Sequence, residues 1–142
     1  MRHLLFVLFL LTSISVHSET IKIGLFYHLN VKSAHITVNS GSYEVYSNDA
    51  LVGTIKTGKE SNISIQSGAI LMTSLNLNIS SSSKLEFLAL ESNCELSISP
   101  EGHSLKRKIT GHLNFWNRGM EMSIINTLDL DVYISGVVEA EA

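Results

Sequence analysis

Two acids near the end of the sequence, Glu139 and Glu141, have the spacing and neighbours that acid–base chemistry could use. They follow two valines, Val137 and Val138. On a regular helix, residues two apart diverge by about 200°, so only one of the acids could enter a cleft that the valines line. A carboxyl that loses hydration among apolar neighbours keeps its proton more readily and can then act as a general acid near neutral pH. The simpler alternative is a pair of solvated charges.

Other side chains that could bind or react show weaker patterns. Four histidines lie beyond the first 18 residues, without the spacing of a zinc site: His28, His35, His103 and His112. Cys94 is the only cysteine, which excludes an intrachain disulfide and predicts a small buried hydrophobic side chain. The basic residues 106–108 indicate either a solvated strand end or a patch for an anionic ligand. With no phosphate-binding loop or nucleophile motif either, the sequence predicts no metal site and no cofactor.

The first 18 residues have the three parts of a secretory signal peptide. A short basic start precedes an apolar run at residues 4–11, and small side chains surround a cleavage point after Ser18. The pattern predicts an exported protein, periplasmic or extracellular, with no membrane span left after cleavage. The net charge of −3 gives no electrostatic footprint for nucleic acid.

Residues 19–104 are predicted to be rich in β-strands. Apolar residues alternate in short runs, for example at Ile21, Ile23, Leu25 and Tyr27, and turn signals recur about every ten residues. The single proline, Pro100, is compatible with uninterrupted strand ladders. We therefore expect a mainly β fold of antiparallel sheets, sandwich-like or barrel-like.

The pattern changes in residues 105–142. One strand is predicted from 105 to 116, followed by a turn at 117–119 and a strand from 120 to 126. Helical spacing then begins, with Leu130, Ile134 and Val137 on one face and Thr127 or Asp129 as the N-cap. β-Branched residues make this short C-terminal helix weak in isolation, so we expect it to need a packing partner.

The same region resembles the SpoIID/LytB family, the domain of stage II sporulation protein D and of an amidase enhancer. The family pattern runs approximately Arg-x-aromatic-x-Gly, a strand, then Val-Asn-x-Leu-x-Leu-Glu-Asp-Tyr-Leu-x-Gly-Val-Val-x-x-Glu-Met. The matching residues are Arg107, Gly111, Asn126, Leu128, Leu130, Asp131, Tyr133, Gly136, Val137, Val138 and Glu141. The segments "IKIGLF" at 21–26 and "GSYEVY" at 41–46 are similar to the strands that precede this motif. Departures are Ile109 for the aromatic, Glu139 for a small residue or proline, and Ala142 for methionine.

The resemblance implies that the chain is the exported N-terminal part of a longer protein, a fragment of an α+β domain. Residues 105–142 would then be the start of the SpoIID/LytB-like domain. Sporulation-type members are lytic transglycosylases of peptidoglycan, and Glu141 matches their essential acid. One carboxyl suffices because it protonates the glycosidic oxygen and then accepts the proton of the sugar's own 6-hydroxyl, which closes an anhydro ring.

Two other interpretations stay open at this point. In one, the protein is a non-catalytic β-rich module that binds cell-wall glycan or enhances a cell-wall amidase, as in the LytB branch. In the other, it is a secreted β-sandwich of different function whose end matches the motif by chance. The partners implied by the resemblance are peptidoglycan glycan strands and, in the helper case, the amidase.

Overall fold

A computed structural model describes residues 18–141. The predicted signal peptide, apart from Ser18, lies outside the described residues, as does Ala142. Over the described range no helix is both long enough and apolar enough to cross a membrane.

The prediction of a mainly β fold is confirmed, because two antiparallel sheets of six strands each make up most of the described chain. The elements in chain order are β1 (Thr20–Leu25), β2 (Ser33–Ser40), β3 (Ser42–Ser47), β4 (Ala50–Lys56), β5 (Glu60–Gln66), β6 (Ala69–Ser74), β7 (Leu77–Ser81), β8 (Lys84–Ala89), β9 (Glu95–Pro100), β10 (Arg107–Thr110), β11 (His112–Asn117), β12 (Met122–Asp129) and α1 (Leu130–Glu141). Sheet A has the order β1-β12-β11-β8-β3-β4, and sheet B has the order β10-β9-β2-β5-β6-β7.

The two sheets enclose a single hydrophobic core. Buried residues alternate with partly buried ones along β2, β3, β6 and β8, as the period of two requires. Phe87 and Phe115 of sheet A pack edge to face with ring centroids 5.9 Å apart, in the same cluster as Ile36 and Ile63 of sheet B. Cys94 is 1% exposed within this cluster, which confirms its predicted burial.

The predicted single strand from 105 to 116 is wrong, because the chain changes sheets at Gly111. β10 pairs with β9 in sheet B, whereas β11 pairs with β8 and β12 in sheet A. Gly111 has a φ of +80°, a conformation that favours glycine, and a Cβ there would lie 2.5 Å from the carbonyl oxygen of Thr127. Apolar alternation continues through the break, at Ile109, Leu113 and Phe115, so periodicity alone does not reveal it.

The buried side chain of Asn126 holds this change of direction in place. Its Nδ2 donates to the carbonyl oxygens of Thr110 and His112, at 2.8 and 2.9 Å, on the two sides of Gly111. β12 carries Asn126 between β1 and β11, opposite Ile23 and Leu113. The Asn and the Gly that match the family pattern therefore have a structural role in this fold.

Strands on both sides of residue 104 share the same two sheets. β10, β11 and β12 follow that point in the sequence, yet β10 joins sheet B and the other two lie inside sheet A. The stretch from 105 to 129 is thus part of the sandwich, and α1 is the described element that projects from it.

The predicted C-terminal helix is present, and it begins directly where β12 ends. Asp129 is the N-cap, since its Oδ1 accepts the backbone N–H of Asp131 at 2.8 Å. The backbone N–H of Leu130 donates to the carbonyl oxygen of Glu19 at 2.9 Å, which ties the first turn to the start of β1. The helix therefore leaves the sandwich in a defined direction.

Candidate functional site

None of the residues of α1 is buried. After Leu130, its large apolar side chains are exposed, from 37% for Tyr133 and Val137 to 62% for Val138. A helix with this composition normally packs its apolar side against a neighbouring element. Within residues 18–141, the main contacts of α1 with the sandwich are with β12 and β1, and the N–H of Leu130 in its first turn bonds the carbonyl oxygen of Glu19.

An open groove of about 700 Å³ runs beside α1. Residues of the helix form most of its wall, and Thr110 and Leu128 close it on the side of the sandwich. The helical residues that line it are Asp131, Val132, Tyr133, Ser135, Gly136, Val137, Glu139 and Ala140. Most of the residues that match the family motif in α1 thus surround one groove.

The two acids predicted as candidates occupy different positions relative to this groove. Glu139 lines it together with Val137, whereas Glu141 and Val138 lie outside its lining. Both carboxylates are exposed to solvent. The two acids therefore diverge, as helical spacing predicts, and among the described residues it is Glu139 that faces the groove.

Gly136 in the middle of α1 has no close neighbour within residues 18–141. A Cβ built on it meets nothing within 4 Å among the described residues. Glycine in a helix interior is less favourable than alanine by about 1 kcal/mol, so it is expected where another chain segment approaches the helix closely. Gly136 and the exposed valines together mark a surface suited to close packing.

Asp129 is held in its charged form at the start of α1. The Ser18 hydroxyl donates to Oδ2, and the backbone N–H of Asp131 donates to Oδ1. Because both contacts stabilise the carboxylate, and the first has the larger effect, the pKa of Asp129 is lowered from its ordinary value.

The histidines are not brought together by the fold. His35 bonds Asn62 through Nδ1 at 2.8 Å on sheet B, His28 contacts the ring of Tyr27 in a loop, and His112 lies on sheet A. Over residues 18–141 no group of three potential ligands is close enough to hold a metal ion. The basic residues 106–108 lie at the exposed start of β10, where Lys108 Nζ is 3.9 Å from Glu95 Oε1.

Sequence reasoning did not identify a second groove, which crosses the outer face of sheet A. It is lined by polar residues of several strands, among them His112 and Asn114 of β11 and Glu86 of β8. The available signal was the polar alternation of "HLNFW", where His112 and Asn114 face away from the core. Recognising the groove also required the pairing of β11 with β8, which the sequence does not reveal.

Comparisons of the chain with protein-family models, with curated proteins and with solved structures found no match. The resemblance to the SpoIID/LytB family therefore stays a prediction from the motif residues.

Proposed function

We propose that this chain is the exported N-terminal part of a peptidoglycan-acting protein of the SpoIID/LytB type. In this proposal the parent protein is a lytic transglycosylase that cleaves glycan strands, with Glu141 as its single acid and base. The protein then works in the cell envelope, either in the periplasm or at the cell exterior.

The observation that carries the proposal is the packing surface of α1. The sandwich presents a capped helix whose large apolar residues after Leu130 are exposed and whose central Gly136 is free of neighbours among the described residues. Such a surface fits a helix that forms one wall of a cleft and packs on another segment of the same domain. The motif residues Tyr133, Gly136 and Val137 all lie on the groove beside it.

The proposed reaction needs a single catalytic carboxyl group. Glu141 would protonate the glycosidic oxygen while the bond to the sugar's anomeric carbon breaks. The resulting carboxylate would take the proton of the 6-hydroxyl as that oxygen attacks the same carbon, which forms a 1,6-anhydro ring. Since no water molecule has to be activated, a second catalytic carboxylate is unnecessary.

A helper function is the second candidate, and the position of Glu141 favours it. A general acid that works near neutral pH usually lies in an apolar or enclosed environment. Glu141 is exposed and lies outside the groove lining. In the helper case, α1 and the sandwich bind glycan or a cell-wall amidase, and no residue of the chain performs catalysis.

The experiment compares Glu141→Gln with Glu139→Gln in the full-length protein, using purified glycan strands free of stem peptides. Gln keeps the size of Glu but cannot donate and accept the proton. We expect anhydro-ended products from the unaltered protein and from Glu139→Gln, with a loss of at least about a hundredfold in Glu141→Gln, the usual contribution of a general acid–base group.

If Glu141→Gln and Glu139→Gln both form as much product as the unaltered protein, Glu141 is not the catalytic acid. If neither the unaltered protein nor the variants yield anhydro ends, but an added cell-wall amidase is accelerated, the helper function replaces the catalytic one.

A further inference from the structure

The groove on the outer face of sheet A has the composition of a ligand site. It has a volume of about 390 Å³ and extends from Lys22 of β1, across β12, β11 and β8, to Tyr46 of β3. We propose that it binds an uncharged, polyhydroxylated ligand of the N-acetylated oligosaccharide class. This inference goes beyond the proposed function, since the groove lies apart from Glu141 and its ligand carries no charge.

Carboxylates outnumber ammonium groups around the groove, because Glu44, which accepts the hydroxyl proton of Tyr46, adds to the two acids that line it. Lys84 Nζ lies 2.6 Å from Asp49 Oδ1 and 3.2 Å from Glu86 Oε1, and both of these acids line the groove. Lys22 supplies a second positive charge against the two carboxylates. A polyanion would therefore meet more negative than positive groups, whereas an uncharged ligand finds fixed acceptors and donors without this repulsion.

His112 supplies a hydrogen-bond donor of defined direction. The backbone N–H of Ala89 donates to its Nδ1 at 3.0 Å, so this nitrogen is an acceptor and the proton of the neutral ring is on Nε2. Burial lowers the pKa of His112 and so favours the neutral ring. Nε2 has no hydrogen-bond partner within residues 18–141, and its N–H is left for a ligand.

Asn114 adds both a donor and an acceptor next to this group. It lies two residues further along β11, on the same face as His112, and opposite Glu86 of β8. Its amide forms no hydrogen bond to another residue of the described chain. A sugar hydroxyl both donates and accepts, so an amide, an imidazole N–H and a carboxylate in one groove match neighbouring hydroxyls and an acetamido group.

The groove also has apolar walls for the C–H faces of sugar rings. Leu88 is 38% exposed and lies beside Glu86 in the groove. Tyr46 is held by its hydroxyl, which donates to Glu44 Oε2 at 2.8 Å, so its ring is a fixed surface. An extended peptide that binds by strand addition needs a sheet edge, but this groove is centred on β8 and β11, which are interior strands.

The test is a titration of the full chain with the tetrasaccharide of β-1,4-linked N-acetylglucosamine, followed by calorimetry and by NMR chemical shifts. Asn114→Ala is compared with Asn78→Ala, which removes an exposed amide from β7 at the edge of sheet B. We expect Asn114→Ala to weaken binding about fivefold to tenfold, the value of one lost hydrogen bond, and Asn78→Ala to leave it unchanged. Circular dichroism confirms that both variants are folded.

A hyaluronan oligosaccharide, which carries a carboxylate on every second sugar, should bind more weakly than the uncharged tetrasaccharide. Tighter binding of hyaluronan, equal losses in both variants, or no binding of the tetrasaccharide would each overturn the inference. Anhydro-ended products without binding at the groove would support the proposed function and contradict the ligand site on sheet A. Binding that depends on Asn114, without anhydro-ended products, would support the ligand site on sheet A and contradict the catalytic proposal.

Discussion

The sandwich and α1 differ in how much of their apolar surface the described chain covers. In the sandwich, residues such as Phe87, Leu96 and Ile98 are fully buried between the sheets. In α1, every residue keeps some exposure, although its sequence is as apolar as that of several strands. The two regions are consecutive in the sequence and meet at Asp129, which ends β12 and caps α1. The difference in exposure therefore lies in their packing partners.

This contrast indicates where stability and where function are located. The sandwich has the closed core that an independent folding unit needs. The helix gains its order from its N-cap and from first-turn contacts, and its apolar side remains available. Substitutions in the two regions should therefore have very different effects on the free energy of unfolding.

The largest effect is expected from Phe87→Ala. Removing a fully buried ring that packs on Phe115 leaves a cavity and should lower the free energy of unfolding by about 3 to 5 kcal/mol. The matched change in the helix, Val138→Ala, should alter it by no more than about 0.5 kcal/mol, because Val138 is 62% exposed. Urea denaturation followed by tryptophan fluorescence measures both, and similar losses would show that α1 belongs to the cooperative core.

A smaller effect is expected where β10 passes into β11. Gly111→Ala should destabilise the protein by roughly 2 to 4 kcal/mol, because a left-handed φ and a clash with the backbone of Thr127 act together. Gly58 has nearly the same φ, +81°, but a Cβ placed there meets nothing within 4 Å among the described residues. Gly58→Ala should therefore cost only about 1 kcal/mol, the conformational part alone.

Thermal unfolding of the two glycine variants separates conformation from packing. Equal losses at Gly58 and Gly111 would mean that the close approach of Thr127 is relieved by a small movement. The comparison therefore tests how tightly the chain packs at Gly111, where it passes from sheet B to sheet A.

Much of the fold could be predicted from local pattern. Alternating apolar residues predicted the strands, and the predicted turn at 117–119 separates β11 from β12. The N-cap at Asp129 was one of two candidates, and the helix began where its spacing indicated. These features depend on neighbouring residues, which a single sequence displays directly.

Features that depend on distant partners were not predictable. Tyr27 continued the alternation of β1, yet the chain turns at Phe26, whose φ is +54°, so Phe26 enters the core and Tyr27 is 89% exposed. The sheet change at Gly111 depends on Asn126, fifteen positions later in the sequence. The groove on sheet A needs β11 beside β8, a pairing between separate parts of the chain.

The candidate site follows the same division. The sequence predicted that Glu139 and Glu141 diverge on a helix, because helical geometry is local. Which of the two acids is enclosed depends on what packs against α1, and that is a non-local property. The structure places Glu139 on the groove and leaves the role of Glu141 as a proposal.

The smallest effect is expected at the junction of the two regions, where Asp129 caps α1. Its lowered pKa means that the folded protein favours the carboxylate, so the capping contribution is present above the ordinary pKa and is lost as the pH falls through the lowered one. Helical circular dichroism and the amide shift of Asp131 should therefore change in acid while the sandwich signals stay constant. Asp129→Asn, which keeps a capping oxygen but does not titrate, should retain the helix and remove this change, whereas Asp129→Ala should reduce the helix at every pH. Should Asp129→Ala keep the full helix, contacts of α1 beyond its first turn must hold it, and the sandwich and the helix would be one packed unit after all.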